Sequence, residues 1–150
     1  MTKQKAGALR GISLVRKYRE DKKAVSEGVW RDYADGAAKL LIARFNNPGH
    51  SEFLRAERKK HSEILDDEAR SESPEATEIL VEMGNRAMAK FILKGWEGIL
   101  DEDGETPLPF SEENAYALLS EFDEFSAEVF RLSTEVEQYR LYKEADAVKN

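Results

Sequence analysis

A chain of 150 residues with 41% hydrophobic content suits one domain with a modest core, and 35% charged residues with a net charge of -7 give it a well-solvated acidic surface that disfavours a nucleic-acid partner. The absence of cysteine excludes a disulfide framework and any thiolate metal site. Residues 1–23 hold eight Lys or Arg against two acids, whereas residues 24–150 hold fifteen bases against twenty-eight acids, so the chain reads as a basic arm followed by a single acidic domain.

From the arm into the start of the domain, Leu9, Ile12, Val15, Tyr18 and Val25 fall at spacings that predict a short helix. Arg10 interrupts the apolar run near the N-terminus, and no stretch approaches the roughly 20 apolar residues of a membrane span. The expectation is a soluble protein retained inside the cell, with no membrane partner. A basic amphipathic segment can bind membrane or nucleic acid, but the thin apolar face and the acids Glu20 and Asp21 favour an arm docked on its own acidic body.

Gly28-Val29-Trp30-Arg31-Asp32-Tyr33 alternates apolar with polar, and residues 38–45 form a second aliphatic run. Asp35-Gly36 between them is a turn signal, so a β-hairpin is predicted that needs helices to cover it, with Trp30 in the core. Asn47 then reads as an N-cap and Pro48 as the first residue of a helix reaching about Ile64, which carries the basic cluster Arg55, Arg58, Lys59 and Lys60. Ser73-Pro74 repeats that signature and opens a long helix, marked by Ile79, Leu80, Met83, Ala87, Phe91 and Ile92, to about Leu93.

Residues 98–110 contain Gly98, Gly104, Pro107 and Pro109, which exclude a helix and predict an ordered loop or short ribbon. Ser111 caps a helix striped by Ala115, Leu118, Leu119 and Phe122, and Asp123 reads as the cap of the next. In that last helix Phe125, Val129, Leu132, Val136 and Tyr139 are spaced 4, 3, 4, 3, a seam that predicts a surface for a partner helix or for self-association. The predicted fold class is α+β, mainly α-helical, with the N-terminal hairpin packed on a bundle of about four helices.

Candidate chemistry is sparse. Asp101, Asp103 and Glu112 match positions 1, 3 and 12 of a calcium loop, but Gly104 stands fourth where the sharp turn needs a glycine sixth, so a solvated turn is expected. His50 and His61 lack the companions a metal site needs. No nucleophile motif or phosphate-cradling loop can be assembled, so no metal, cofactor or catalysis is expected; a converging carboxylate pair is the remaining enzymatic alternative. Trp96, between Gly95 and Gly98, reads as a buried indole around which the backbone turns.

Three strings carry a resemblance: EDKKAVSEGVW (residues 20–30), RFNNPGHSEFLRAERKK (residues 44–60) and KGWEGILDEDGETPLPFS (residues 94–111). Over residues 18–142 the chain resembles the tail assembly chaperones of long-tailed bacteriophages. The matching positions are Gly28, Trp30, Asn47 and Pro48, then Gly95, Trp96 and Gly98, then Asp101, Asp103, Gly104, Pro109, Phe110 and Ser111, all with mainly structural roles. The resemblance implies a non-catalytic protein that binds the tape measure protein and tail tube protein in the host cell cytoplasm and is absent from the mature virion. Many members also have a longer form made by frameshifting. The alternative is a small acidic regulator that mimics nucleic acid with the eleven carboxylates of residues 95–130, where no base occurs, and binds a basic protein.

Overall fold

Two short helices, α1 (Leu14–Tyr18) and α2 (Lys22–Glu27), precede the predicted hairpin in the computed structural model, which describes residues 8–143. Residues 1–7 of the arm and residues 144–150 lie outside the described residues. The Asp21 carboxylate accepts the amide protons of Lys23 and Ala24 and so starts α2, which delivers Val25 to the core. A boundary at residue 23 therefore cuts a helix. The described part of the segment before it docks by backbone pairing: Asp21 N–H donates to Tyr139 O and Leu141 N–H to Arg19 O, both at 2.8 Å.

Strands β1 (Val29–Tyr33) and β2 (Ala38–Ile42) form the hairpin, and Ala34, Asp35 and Gly36 all turn through positive φ. Asn47 caps α3 (Pro48–Lys60) by accepting the His50 N–H at 3.1 Å. Its own amide donates to Arg44 O and Phe91 O, so this buried side chain also ties the end of the hairpin to the end of the long helix. α3 stops at Lys60 rather than Ile64, and a separate turn, α4 (Ser62–Leu65), follows. α5 (Pro74–Phe91) begins at the Ser73 cap.

The sheet has a third strand that the helical periodicity concealed. Ile92 is the C-cap of α5, and Leu93–Glu97 is β3, antiparallel to β2, giving the order β1-β2-β3. Without β3 one edge of β2 would lie unpaired against the helices, and unpaired buried backbone groups are costly. Lys94 is bulged out, since Ile42 pairs with Leu93 while Leu41 pairs with Gly95.

The chain closes with α6 (Glu112–Glu121), α7 (Asp123–Ser133) and a 3₁₀ turn, Val136–Tyr139. Phe122, not Asp123, takes the cap position of α7 and makes no side-chain cap bond. The helix expected to reach Tyr139 ends at Ser133, because the hydroxyls of Ser133 and Thr134 fold back onto Phe130 O and Arg131 O at 2.7 and 2.8 Å.

The result is α+β and mainly helical. α5, α6 and α7 cover one face of the sheet, where Leu40, Ile42, Leu93 and Trp96 meet Met88, Ile92, Leu119, Val129 and Leu132. A smaller cluster of Leu65, Ala76 and Met83 with Leu54 joins α3 and α4 to α5. Among the described residues no helix covers the opposite sheet face.

Candidate partner-docking surface

Strand alternation decides what that uncovered face displays. The cross-strand rows Trp30–Leu41–Gly95 and Asp32–Lys39–Glu97 point outward, while Arg31–Leu40–Trp96 points into the core. Trp30, expected in the core, is 46% exposed. The ring lies across the place where Gly95 has no side chain: a Cβ there would sit 3.6 Å from the Trp30 ring and 3.5 Å from Leu41. Gly95 thus seats an exposed indole rather than turning the chain. Leu41 was not singled out in the sequence, although the hairpin register set by Asp35-Gly36 places it directly opposite Trp30.

The 4, 3, 4, 3 seam does not form as one exposed stripe. Val129, Leu132 and Tyr139 are buried, Phe125 is half-buried with its ring edge-on to Tyr33, and only Val136 is exposed. The pattern marks the core face of α7 instead, and the break at Thr134 rotates Tyr139 inward so that its hydroxyl donates to Ile42 O at 2.9 Å. Burial pushes that phenol up to about 12. Arg31 locks the same region from the strand side, pairing with Glu135 and donating to Leu132 O. Near it, Arg44 Nε faces Glu20 at 2.9 Å at an angle that makes an ion pair rather than a hydrogen bond.

The segment from Gly95 to Ser111 folds as one unit. The buried Trp96 indole N–H donates to Leu108 O at 2.8 Å and its ring stands edge-on to Phe110 at 4.8 Å. Gly98 has φ +82, and a Cβ on it would lie 2.8 Å from Ala37 O. Asp101 N–H donates to Thr106 O, Gly104 N–H donates to Asp101 O, and Asp103 accepts from the amides of Glu105 and Thr106 and from the Thr106 hydroxyl. Those bonds hold the Asp103 carboxyl down at about 2. Asp103 therefore builds the turn. Asn114 donates to Pro109 O, and Ser111 caps α6. Gly28 closes α2 at φ +101, and Pro48 opens α3 after Asn47.

The two histidines stay apart. His50 is buried beneath Phe45, its Nδ1 accepting the Asn46 N–H at 3.3 Å, and desolvation lowers its pKa from the usual 6.5. The unfolded chain takes up a proton near 6.5 that folded His50 resists, so this contribution is whole above about pH 6.5 and is lost as the pH falls from there toward the folded pKa. The melting temperature should decline as the pH drops from about 7 to about 5, and less so in His50→Asn, whose Oδ1 can accept the same amide. Parallel profiles for parent and variant would refute the assignment. Among the described residues no group of three or more His, Asp or Glu is placed to hold a metal ion, and no helix is long and apolar enough to cross a membrane.

A family model described as YdaY prophage protein matches residues 45–150, from the end of the hairpin through α3, the Trp96 unit and the closing helices. The chain belongs to the YdaY prophage protein family. It is therefore phage-derived. No curated protein and no solved structure matches it. The family match leaves β1 and β2, and with them Trp30, outside its span.

Proposed function

We propose that this prophage protein is a non-catalytic tail assembly chaperone that receives helical segments of the tape measure protein on the uncovered sheet face, works with tail tube protein in the host cytoplasm, and is left out of the mature virion. The observation that carries the reading is the outward Trp30, a large amphipathic ring fixed over Gly95 beside Leu41 and rimmed by Asp32, Lys39 and Glu97. Tryptophan at the centre of an apolar patch with a charged rim is the usual composition of a binding hot spot. A tape measure protein, long and helical, would expose apolar seams until the tube encloses it, and such seams dock on apolar surfaces by their i, i+3 and i+4 side chains. The YdaY membership supports the phage origin that this reading requires, and the resemblance of the Trp96 unit to tail assembly chaperones supports the chaperone role.

Co-expression with tape measure segments from the same prophage tests it. The parent should keep the segment soluble and co-purify with it, and Trp30→Ala should weaken capture at least about tenfold, the scale of a hot-spot loss, with an unchanged circular dichroism spectrum. Equal capture by parent and variant would remove the sheet face from the contact. No capture, together with salt-sensitive binding to a basic protein, would replace the chaperone reading with that of an acidic mimic.

A further inference from the structure

Beside the backbone pairing of residues 19–21 with residues 139–141 lies an open cavity of about 530 Å³ lined by Ser13, Arg16, Lys17, Arg140, Tyr142 and Lys143 among others. Glu137 is the single acid in its wall. Arg16 lies 4.8 Å over the Tyr142 ring and Arg140 5.6 Å over that of Tyr18, which holds both cations in place by the attraction of a ring face for positive charge. Among the described residues none of Arg16, Lys17, Arg140 and Lys143 forms an ion pair with a carboxylate, whereas Arg31, Arg44, Arg58, Lys60, Arg86 and Arg131 all do. Lys143 Nζ donates to Glu137 O and Gln138 O at 3.3 and 2.6 Å, which leaves Arg16, Lys17 and Arg140 as three cations against one acid, and in a protein of net charge -7 they call for an anionic occupant.

An occupant of matching charge is present in the chain itself. The turn after β3 exposes Asp101, Glu102, Asp103 and Glu105 on a backbone whose shape is already fixed by its own hydrogen bonds, and none of the four is in an ion pair among the described residues. A preformed turn loses little entropy on docking. The turn and the cavity of one molecule lie toward opposite ends of β2. Tyr139, beside the cavity, bonds Ile42 at one end of β2, while the turn leaves β3 after Glu97, which pairs with Lys39 toward the other end. Two cavities repel each other, as do two turns.

We infer that the cavity between the N- and C-terminal segments binds the acidic turn of a second copy of this chain, joining protomers head to tail. Such a contact uses different patches on each partner and so propagates into a ring or a filament. The like net charges of whole protomers oppose association, so the contact depends on these two ends and on ionic strength.

Sedimentation of the full chain at about 0.01 M and about 1 M salt, where the screening length falls from about 30 Å to about 3 Å, tests the inference. At low salt the weight-average mass should rise with concentration to at least about twice the 17.1 kDa of the monomer, and at high salt it should return to the monomer. Arg16→Glu with Lys17→Glu makes the cavity acidic, and Glu102→Lys with Glu105→Lys cancels the net charge of the turn without touching the side chains that build it. Each double variant should lose self-association while keeping the parent's circular dichroism spectrum. Mixing the two should restore association as one-to-one pairs, because the unaltered turn of the cavity variant then meets the unaltered cavity of the turn variant. A parent that is monomeric at low salt, or association that survives either double variant, would overturn the inference. A monomer that instead binds single-stranded DNA through Arg16 and Lys17 would overturn it in favour of a nucleic-acid site.

Discussion

Replacing Trp96 by alanine should lower the free energy of unfolding by about 3–5 kcal/mol, the range for emptying a buried aromatic site. The indole is only 8% exposed, and its removal also strips the Leu108 carbonyl of its donor and Phe110 of the ring it stands against. Trp96→Phe separates the two losses. It retains most of the volume and deletes the N–H, so it should cost about 1–3 kcal/mol, the penalty of an unsatisfied buried carbonyl. Equilibrium unfolding in denaturant reads both. An alanine variant as stable as the parent would mean that the loop of residues 98–110 is not held by this side chain.

Two glycines flanking that indole should respond very unequally to alanine. At Gly98 the positive φ costs about 1–2 kcal/mol for any residue with a Cβ, and the contact with Ala37 O at 2.8 Å is with backbone, which cannot swing away. Overpacking adds about 1–3 kcal/mol, so Gly98→Ala should lose about 2–5 kcal/mol. Gly95→Ala meets only ordinary van der Waals neighbours at 3.5 and 3.6 Å and should stay within about 1 kcal/mol of the parent. Unfolding curves that rank the two variants in the other order would show that Gly98 does not hold the chain against the β2 entry.

What the sequence made legible was local. Asn47-Pro48, Ser73-Pro74 and Ser111 announce helix starts because a capping side chain and the amide it satisfies lie within three positions of each other. The hairpin was readable for the same reason, its turn residues being adjacent. β3 was not, because Phe91, Ile92 and Leu93 continue a helical spacing, and only pairing with a distant strand edge makes the last of them extended. Trp30 was misplaced because the alternation of Val29, Arg31 and Tyr33 gives two faces without saying which one the helices cover. The seam from Phe125 to Tyr139 failed at Ser133 and Thr134, whose hydroxyls compete for helix carbonyls in a way no spacing pattern records. Arg16 and Arg140 meet only through strand-like pairing of the two ends of the described chain, for which neither segment carries a signal.

The bond from Tyr139 to Ile42 spans 97 positions. On the ribosome the hairpin emerges early, yet its apolar inner face stays open until α5, β3 and α7 have followed and its last buried carbonyl waits for Tyr139. Long-range closure of this kind is slow compared with helix formation, and synthesis proceeds at about 5–20 residues per second. For several seconds of every synthesis the nascent chain therefore carries an uncovered apolar hairpin.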